Sequence, residues 1–248
     1  MDLGISRRRA AVAAASGGLG FASAKALADE GVAVAICGRD RLRIDEAAER
    51  IGHGCIPLVC DVANAAGGAA FINQAREALG GLDIVVANGG GPPAGTFEST
   101  AIDAYQSALD LNLMSVVGMA KAAVPAMREQ RWGRFVAITS LAVRQPMATI
   151  ILSNTARAGV TGFLKTVATE VAADGVTVNT VQPGLHATAR VTTLFGNDTT
   201  GATRGIPAGV IGDPADFGAA VAFLCSDQAR FITGVQLHID GGSYSGLL

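Results

Sequence analysis

The stretch "RAAVAAASGGLG", Arg9 to Gly20, decides the fold. Residues 9–15 are almost all apolar, as in a strand of a parallel sheet covered on both faces. Ser16 and three glycines follow, Gly17, Gly18 and Gly20 with Leu19 between the last two, and then an amphipathic helical pattern begins. Glycines at such a turn let backbone approach a pyrophosphate and let the next helix pack close to the sheet. A tight strand-to-helix connection without any ligand uses the same residues, so both readings stand at this point.

Outward from that turn the alternation repeats. Apolar or β-branched runs at 32–37, 55–60, 82–87, 134–140, 176–182 and 235–240 predict further strands. Helical patterns fall near 19–30, 40–50, 64–79, 101–129, 149–173 and 214–226, two of them preceding Gly31 and Gly175 as stop signals. The expectation is an α/β, doubly wound parallel sheet of about seven strands with helices on both faces. Neither an internal repeat nor a Pro/Ser linker divides the chain, so 1–248 reads as a single domain. The Thr- and Gly-rich segment 186–212 lacks periodicity and reads equally as a substrate lid or as an ordinary surface loop.

Composition narrows the function classes. Half the residues are apolar and 16% are charged, enough for a large core. A formal charge of −2, three scattered histidines and few aromatics give no face for nucleic acid. Cys37, Cys55, Cys60 and Cys225 form no Cys-x-x-Cys pair and have no histidine at zinc-ligand spacing, so they read as small buried thiols in a reducing cytoplasm, with no metal. Arg7, Arg8 and Arg9 precede an alanine-rich run that meets Gly17 almost at once, so they read as a solvated entry to the first strand rather than an export signal. Stretches of about 18 uncharged apolar residues are broken throughout, which predicts no membrane partner.

In an open parallel sheet, ligands bind beyond the carboxyl ends of the strands. Here those ends carry, in chain order, "ASGGLG", "GRD", "DV", "NGGGPPAG", Ser140 and "PG". Six polar or glycine-rich ends on one edge are a stronger signal than any single motif. Arg39 stands where an NAD site would place an acidic residue on the ribose hydroxyls, and it offers a planar cation for a 2′-phosphate; a solvated cluster with Arg41 and Arg43 is the alternative. Asp61, followed by Val62, reads as a partner for the adenine amino group or as a turn residue. Asn88 with Gly89, Gly90 and Gly91 would let the chain pass under a nucleotide. Asn112 interrupts an otherwise apolar helical face, either distorting the helix or joining a buried water network.

These residues, with the tail "FLCSDQARFITGVQLHIDGG" at 223–242, resemble the short-chain dehydrogenase/reductase family, in its β-ketoacyl-carrier-protein-reductase-like branch, over nearly the whole chain. The resemblance implies a Rossmann-type domain. It places the family's Thr-Gly-x-x-x-Gly-x-Gly turn on Ala13, Ala14, Gly18 and Gly20, so that the first glycine has become alanine. It places Asn-Asn-Ala-Gly on Ala87, Asn88, Gly89 and Gly90, and the nicotinamide-facing Pro-Gly and threonine on Pro183, Gly184 and Thr188. NADP(H) is expected in preference to NAD(H). A homotetramer is implied, or a hetero-oligomer with a competent reductase.

The family's catalytic set of Asn, Ser, Tyr and Lys falls on Asn112, Ser140, Ser153 and Arg157. The interval of thirteen from Ser140 and the spacing of four are kept, but tyrosine has become Ser153 and lysine Arg157. A phenol of pKa about 10, drawn down by a nearby ammonium, moves the proton in the family. Ser153 is shorter and far less acidic, and reaches a carbonyl only through a bridging water. Arg157 keeps the positive charge but stays protonated throughout the ordinary pH range, and cannot relay a proton. His186, just past Pro183-Gly184, is a candidate replacement donor, or a packing residue.

Three readings follow. One is an NADP(H)-dependent oxidoreductase for a ketone or alcohol held in a mostly apolar pocket, with an unorthodox proton source. Another is a catalytically silent cofactor-binding partner. A third is lyase or isomerase chemistry using Ser140 and Arg157.

Overall fold

The computed structural model describes residues 2–189, 191 and 200–247. Seven strands are present among them: β1 (Arg9–Val12), β2 (Ala33–Gly38), β3 (Ile56–Val59), β4 (Ile84–Ala87), β5 (Gly133–Ile138), β6 (Val176–Pro183) and β7 (Gln236–Ile239). They form one sheet in the order β3-β2-β1-β4-β5-β6-β7, and every pairing is parallel. The doubly wound expectation holds, and the expected strand segments are where the strands form.

Alternation within each strand feeds two cores. Ala10 and Val12 of β1, Val34 and Ile36 of β2, and Ile84 and Val86 of β4 face α1 (Gly18–Asp29), α2 (Arg41–Ile51) and α7 (Pro214–Leu224). Ala11, Ala35, Val85 and Ala87 face the other way, against α3 (Ala65–Leu79), α5 (Ser115–Glu129) and α6 (Ile151–Val171). Small residues prevail on β1 and β2, so helices lie close to the sheet; Gly68 and Gly118 do the same for the α3–α5 crossing, where a Cβ would run into backbone of the facing helix.

Ahead of α5, α4 (Ala104–Leu109) runs into a single π-turn, Asp110–Met114. Together they form a helix, Ala104–Glu129, long and apolar enough to pass for a membrane span by length and composition. Here it packs against α3 and α6 instead.

The N-terminal edge of the sheet is held by charge. Asp83, 3% exposed, accepts hydrogen bonds from Arg9 N (2.9 Å), Nε (2.8 Å) and Nη2 (3.0 Å). Arg134, 2% exposed, donates to the carbonyls of Gly133, Gly175 and Ser226, and its guanidinium and that of Arg8 lie over the Trp132 ring at 4.3 and 3.8 Å. The expected solvated entry is therefore corrected: Arg8 and Arg9 tie β1 to the segments entering β4 and β5, because a buried carboxylate needs charged donors. Burial pushes the thiols of Cys37, Cys55 and Cys225 up to about 12, so they remain neutral packing groups.

Replacing Asp83 with alanine leaves the Arg9 amide without its acceptor and takes two of three hydrogen bonds from the guanidinium, which keeps the Gly80 carbonyl and partial access to solvent. The expected loss is about 2–4 kcal/mol of unfolding free energy, read as a lowered urea midpoint with unchanged slope.

Candidate functional site

Strand order reverses between β1 and β4, so their following segments leave in opposite directions and open a crevice at the C-terminal edge. The first glycine turn lies there. Gly18 has φ +59, and no side chain caps α1, whose N-cap is Gly17, so the first-turn amides are left for an anion. A Cβ on Gly20 would lie 2.6 Å from Asn88 Nδ2 and 2.9 Å from the Ala14 carbonyl oxygen. Only glycine fits, and space above Gly17 is open. This cradle suits a dinucleotide pyrophosphate.

Asn88, at the end of β4, donates from Nδ2 to the carbonyls of Ala13 (3.3 Å) and Ala14 (3.1 Å) and so fixes the turn from behind. Ala14 sits at φ +48, the left-handed region that the family's glycine would occupy freely. Its Cβ makes that conformation costly by about 1–2 kcal/mol.

At the end of β2, Asp40 caps α2 by accepting from Arg43 N at 3.1 Å, which commits the carboxylate to the helix. Arg39 is exposed, and Ser16 overhangs the strand end: a Cβ on Gly38 would lie 3.5 Å from Ser16 Cβ. Cation and hydroxyl thus border one edge. Asp61 uses Oδ1 to accept from Ala63 N at 3.0 Å, a turn-forming bond, and Val62 is buried beside it. Gly184 N donates to the Ile239 carbonyl at 2.9 Å, and Thr188 returns to the glycine turn, with Cγ2 3.7 Å from where a Gly18 Cβ would stand.

The second half of the site lies on the α6 face. Asn112 is the middle residue of the π-turn and is 4% exposed. Its Nδ2 donates to the Gly90 carbonyl at 2.9 Å, while Oδ1 has no partner among the described residues. The bulge lets the amide turn inward from an apolar helix. Asn112, Asn88, Thr139 and Arg157 line a crevice of about 10 Å³, close to the room one water needs.

Ser140 accepts from Ala142 N at 3.1 Å and opens the short turn Leu141–Val143. That bond polarises the hydroxyl and leaves its proton for a ligand. Ser153 and Arg157 lie one turn apart on α6, each 9% exposed. Arg157 Nη1 donates to the carbonyls of Ile138 (2.9 Å) and Thr139 (3.1 Å). The cation therefore braces the end of β5 immediately before Ser140.

His186 lies differently from a proton donor at an open pocket. It is 4% exposed, its Nδ1 pairs with the Gly184 carbonyl at 3.2 Å, and its ring meets Phe217 edge-on at 5.2 Å. Burial lowers its pKa from the ordinary histidine value, which counts against a charged donor and for packing.

Polar residues that the sequence did not single out gather toward β7. Gln182, fully buried, donates to Gln236 Oε1 at 3.1 Å, and its own Oε1 has no partner among the described residues; His238 stacks on Tyr244 with ring centroids 4.6 Å apart. Arg144 reaches Gln236 at 3.4 Å. The available signal was Gln182 itself, a polar residue inside an otherwise buried parallel strand.

The family model described as enoyl-(acyl carrier protein) reductase matches residues 13–244. The 3-oxoacyl-(acyl-carrier-protein) reductase FabG of Vibrio cholerae is 33% identical over 95% of this chain and 96% of its own. The 3alpha-hydroxysteroid dehydrogenase of Mediterraneibacter gnavus is 30% identical over 99% and 100%. L-sorbose reductase from Gluconobacter frateurii, solved with NADPH and L-sorbose, covers all of both chains at 31% identity with a TM-score of 0.91. YwfH, an NADPH dependent reductase involved in bacilysin biosynthesis, gives 0.92 at 27% identity, over 98% of this chain and 100% of its own.

The geometry at Gly20 makes a direct prediction. Gly20→Ala forces Asn88 away from the Ala13 and Ala14 carbonyls, and calorimetry should show NADPH affinity falling by about tenfold or more.

Proposed function

The chain belongs to the short-chain dehydrogenase/reductase family and is a short-chain oxidoreductase, and from that premise we propose that it uses NADP(H) on a ketone or alcohol, slowly or on a specialised substrate, because its catalytic tetrad is incomplete. The observation carrying this reading is that the glycine cradle braced by Asn88 and the polarised Ser140 lie at the same sheet edge.

In the proposal, the amides of Gly18, Leu19 and Gly20 hold the pyrophosphate, Arg39 and Ser16 the 2′-phosphate, Asp61 and Val62 the adenine, and Asn88, Gly89, Pro183, Gly184 and Thr188 the nicotinamide half. The reduced nicotinamide supplies a hydride when bound. Ser140 donates a hydrogen bond to the substrate oxygen, and Arg157 lends positive charge while bracing β5. Ser153 is too short to protonate that oxygen directly, so a water between them carries the proton, with Asn112 ordering the polar floor. Losing a positioned general acid costs about 10²- to 10⁴-fold, whereas positioning of the reactants retains much of the acceleration. Slow turnover follows.

We also propose a cytoplasmic homotetramer. Exposed Phe97, Ile102 and Met114 near the α4–α5 helix suit an interface of that kind, which light scattering would read directly.

Saturable NADPH binding, tighter than NADH, with NADPH consumption across a carbonyl panel is the outcome expected. Binding without any turnover would point to the silent-partner reading, and product without nicotinamide absorbance change to lyase or isomerase chemistry. Arg39→Asp should abolish the preference for NADPH in parallel titrations with both coenzymes; unchanged selectivity removes the phosphate assignment. Ser153→Tyr combined with Arg157→Lys should raise reductase turnover by about tenfold or more. A doubly substituted protein that stays as slow as the parent shows that the pocket walls have departed from hydride transfer as well.

A further inference from the structure

His186 is enclosed where three parts of the molecule meet. Ala187 N donates to the Gly212 carbonyl at 2.9 Å and Gly212 N to the Leu185 carbonyl at 3.0 Å, so 185–187 runs alongside Gly212 as a short parallel bridge. The imidazole fills the room that a side chain at 212 would need: a Cβ there would lie 2.8 Å from His186 Cδ2 and 2.9 Å from Nε2. Phe217, on the first turn of α7, closes the ring's edge. Because a carbonyl oxygen only accepts, the Gly184 contact places the proton on Nδ1. Beyond the bridge, Thr188 N donates to the His186 carbonyl at 2.7 Å, and Thr188 then rests against the Gly18 turn.

We propose that His186 and Gly212 form a pin that holds the 183–188 turn, and with it Thr188, at the nicotinamide end of the cradle, so that His186 is a positioning residue for the coenzyme and not the missing proton donor. The ring's packing on Gly212 fixes the turn's distance from the start of α7, and the Nδ1–Gly184 bond fixes its direction. The proposal rests on the coenzyme reading above, and the experiment separates the two.

The test is a double-mutant cycle with one conservative variant. Gly212→Ala drives a methyl into the imidazole; its backbone is not in the left-handed region, so the clash is the only fault introduced. We expect NADPH affinity to fall about tenfold in His186→Ala and in Gly212→Ala, and expect Gly212→Ala to have no further effect once the ring is gone. His186→Asn, whose amide can replace the Nδ1 donor but not the ring's packing on Gly212, should recover part of the NADPH affinity lost in His186→Ala and keep the shape of the pH profile. Additive losses across the cycle overturn the pin. A His186→Asn protein that binds NADPH normally but loses about 10²-fold in kcat, together with one limb of the pH profile, restores the donor role and also overturns it. If the parent binds no NADPH, the coenzyme reading fails by itself; the cycle is then read in thermal midpoints, where non-additivity supports the His186–Gly212 contact and additivity removes it.

Discussion

The amide of Asn88 bonded to the carbonyls of Ala13 and Ala14 is the contact on which the rest of the site depends. It joins the ends of β1 and β4, the two neighbours between which the strand order reverses. Without it the turn after β1 would be free to relax, and Gly20 would lose the close approach that brings the first amides of α1 into the crevice. Parallel pairing puts every other contributing segment at the same edge, since each strand ends there and each helix begins there. The cradle is therefore a property of the sheet's topology, completed by one side chain.

Against that intact half, the other half has changed character. A lysine at position 157 would present a compact ammonium; the guanidinium of Arg157 instead spends Nη1 on two strand-end carbonyls. It remains a fixed cation beside Ser140, with electrostatic influence but no proton to exchange. Ser153, buried one turn before Arg157, offers only a short hydroxyl where the family has a phenol. In the proposed mechanism Ser140, polarised by the Ala142 amide, is the hydroxyl that meets a substrate oxygen. On the proposed reading, hydride transfer and proton transfer, normally inherited together, are served by separately altered halves of the site.

Several local conflicts cluster around the same edge. Ala14 is held left-handed where glycine would be unstrained, Asn112 sits in a π-turn, and the amide oxygens of Asn112 and Gln182 are buried without a partner among the described residues. Left-handed non-glycine residues and unsatisfied hydroxyls occur elsewhere too, at Arg7, His53, Arg131 and Thr177, but the buried amide oxygen of Asn112 lies in the crevice beside Asn88, where a water or ligand would complete it.

By itself the sequence determined the sheet, the order of its elements and the edge where ligand-binding residues collect. Those follow from local periodicity and from glycines placed where a side chain would be strained or would clash, and both are written in consecutive residues. It also carried the substitutions at 153 and 157 and the alternatives for Asn112. Only the tertiary structure decided that Arg157 turns to the end of β5, that the half-buried Arg9 pairs with Asp83, and that His186 is packed on Gly212 and Phe217. Each of these depends on a partner far along the chain or on the space left by a missing side chain. Side-chain direction in a crowded interior is set by those partners, and no spacing rule along the chain encodes them.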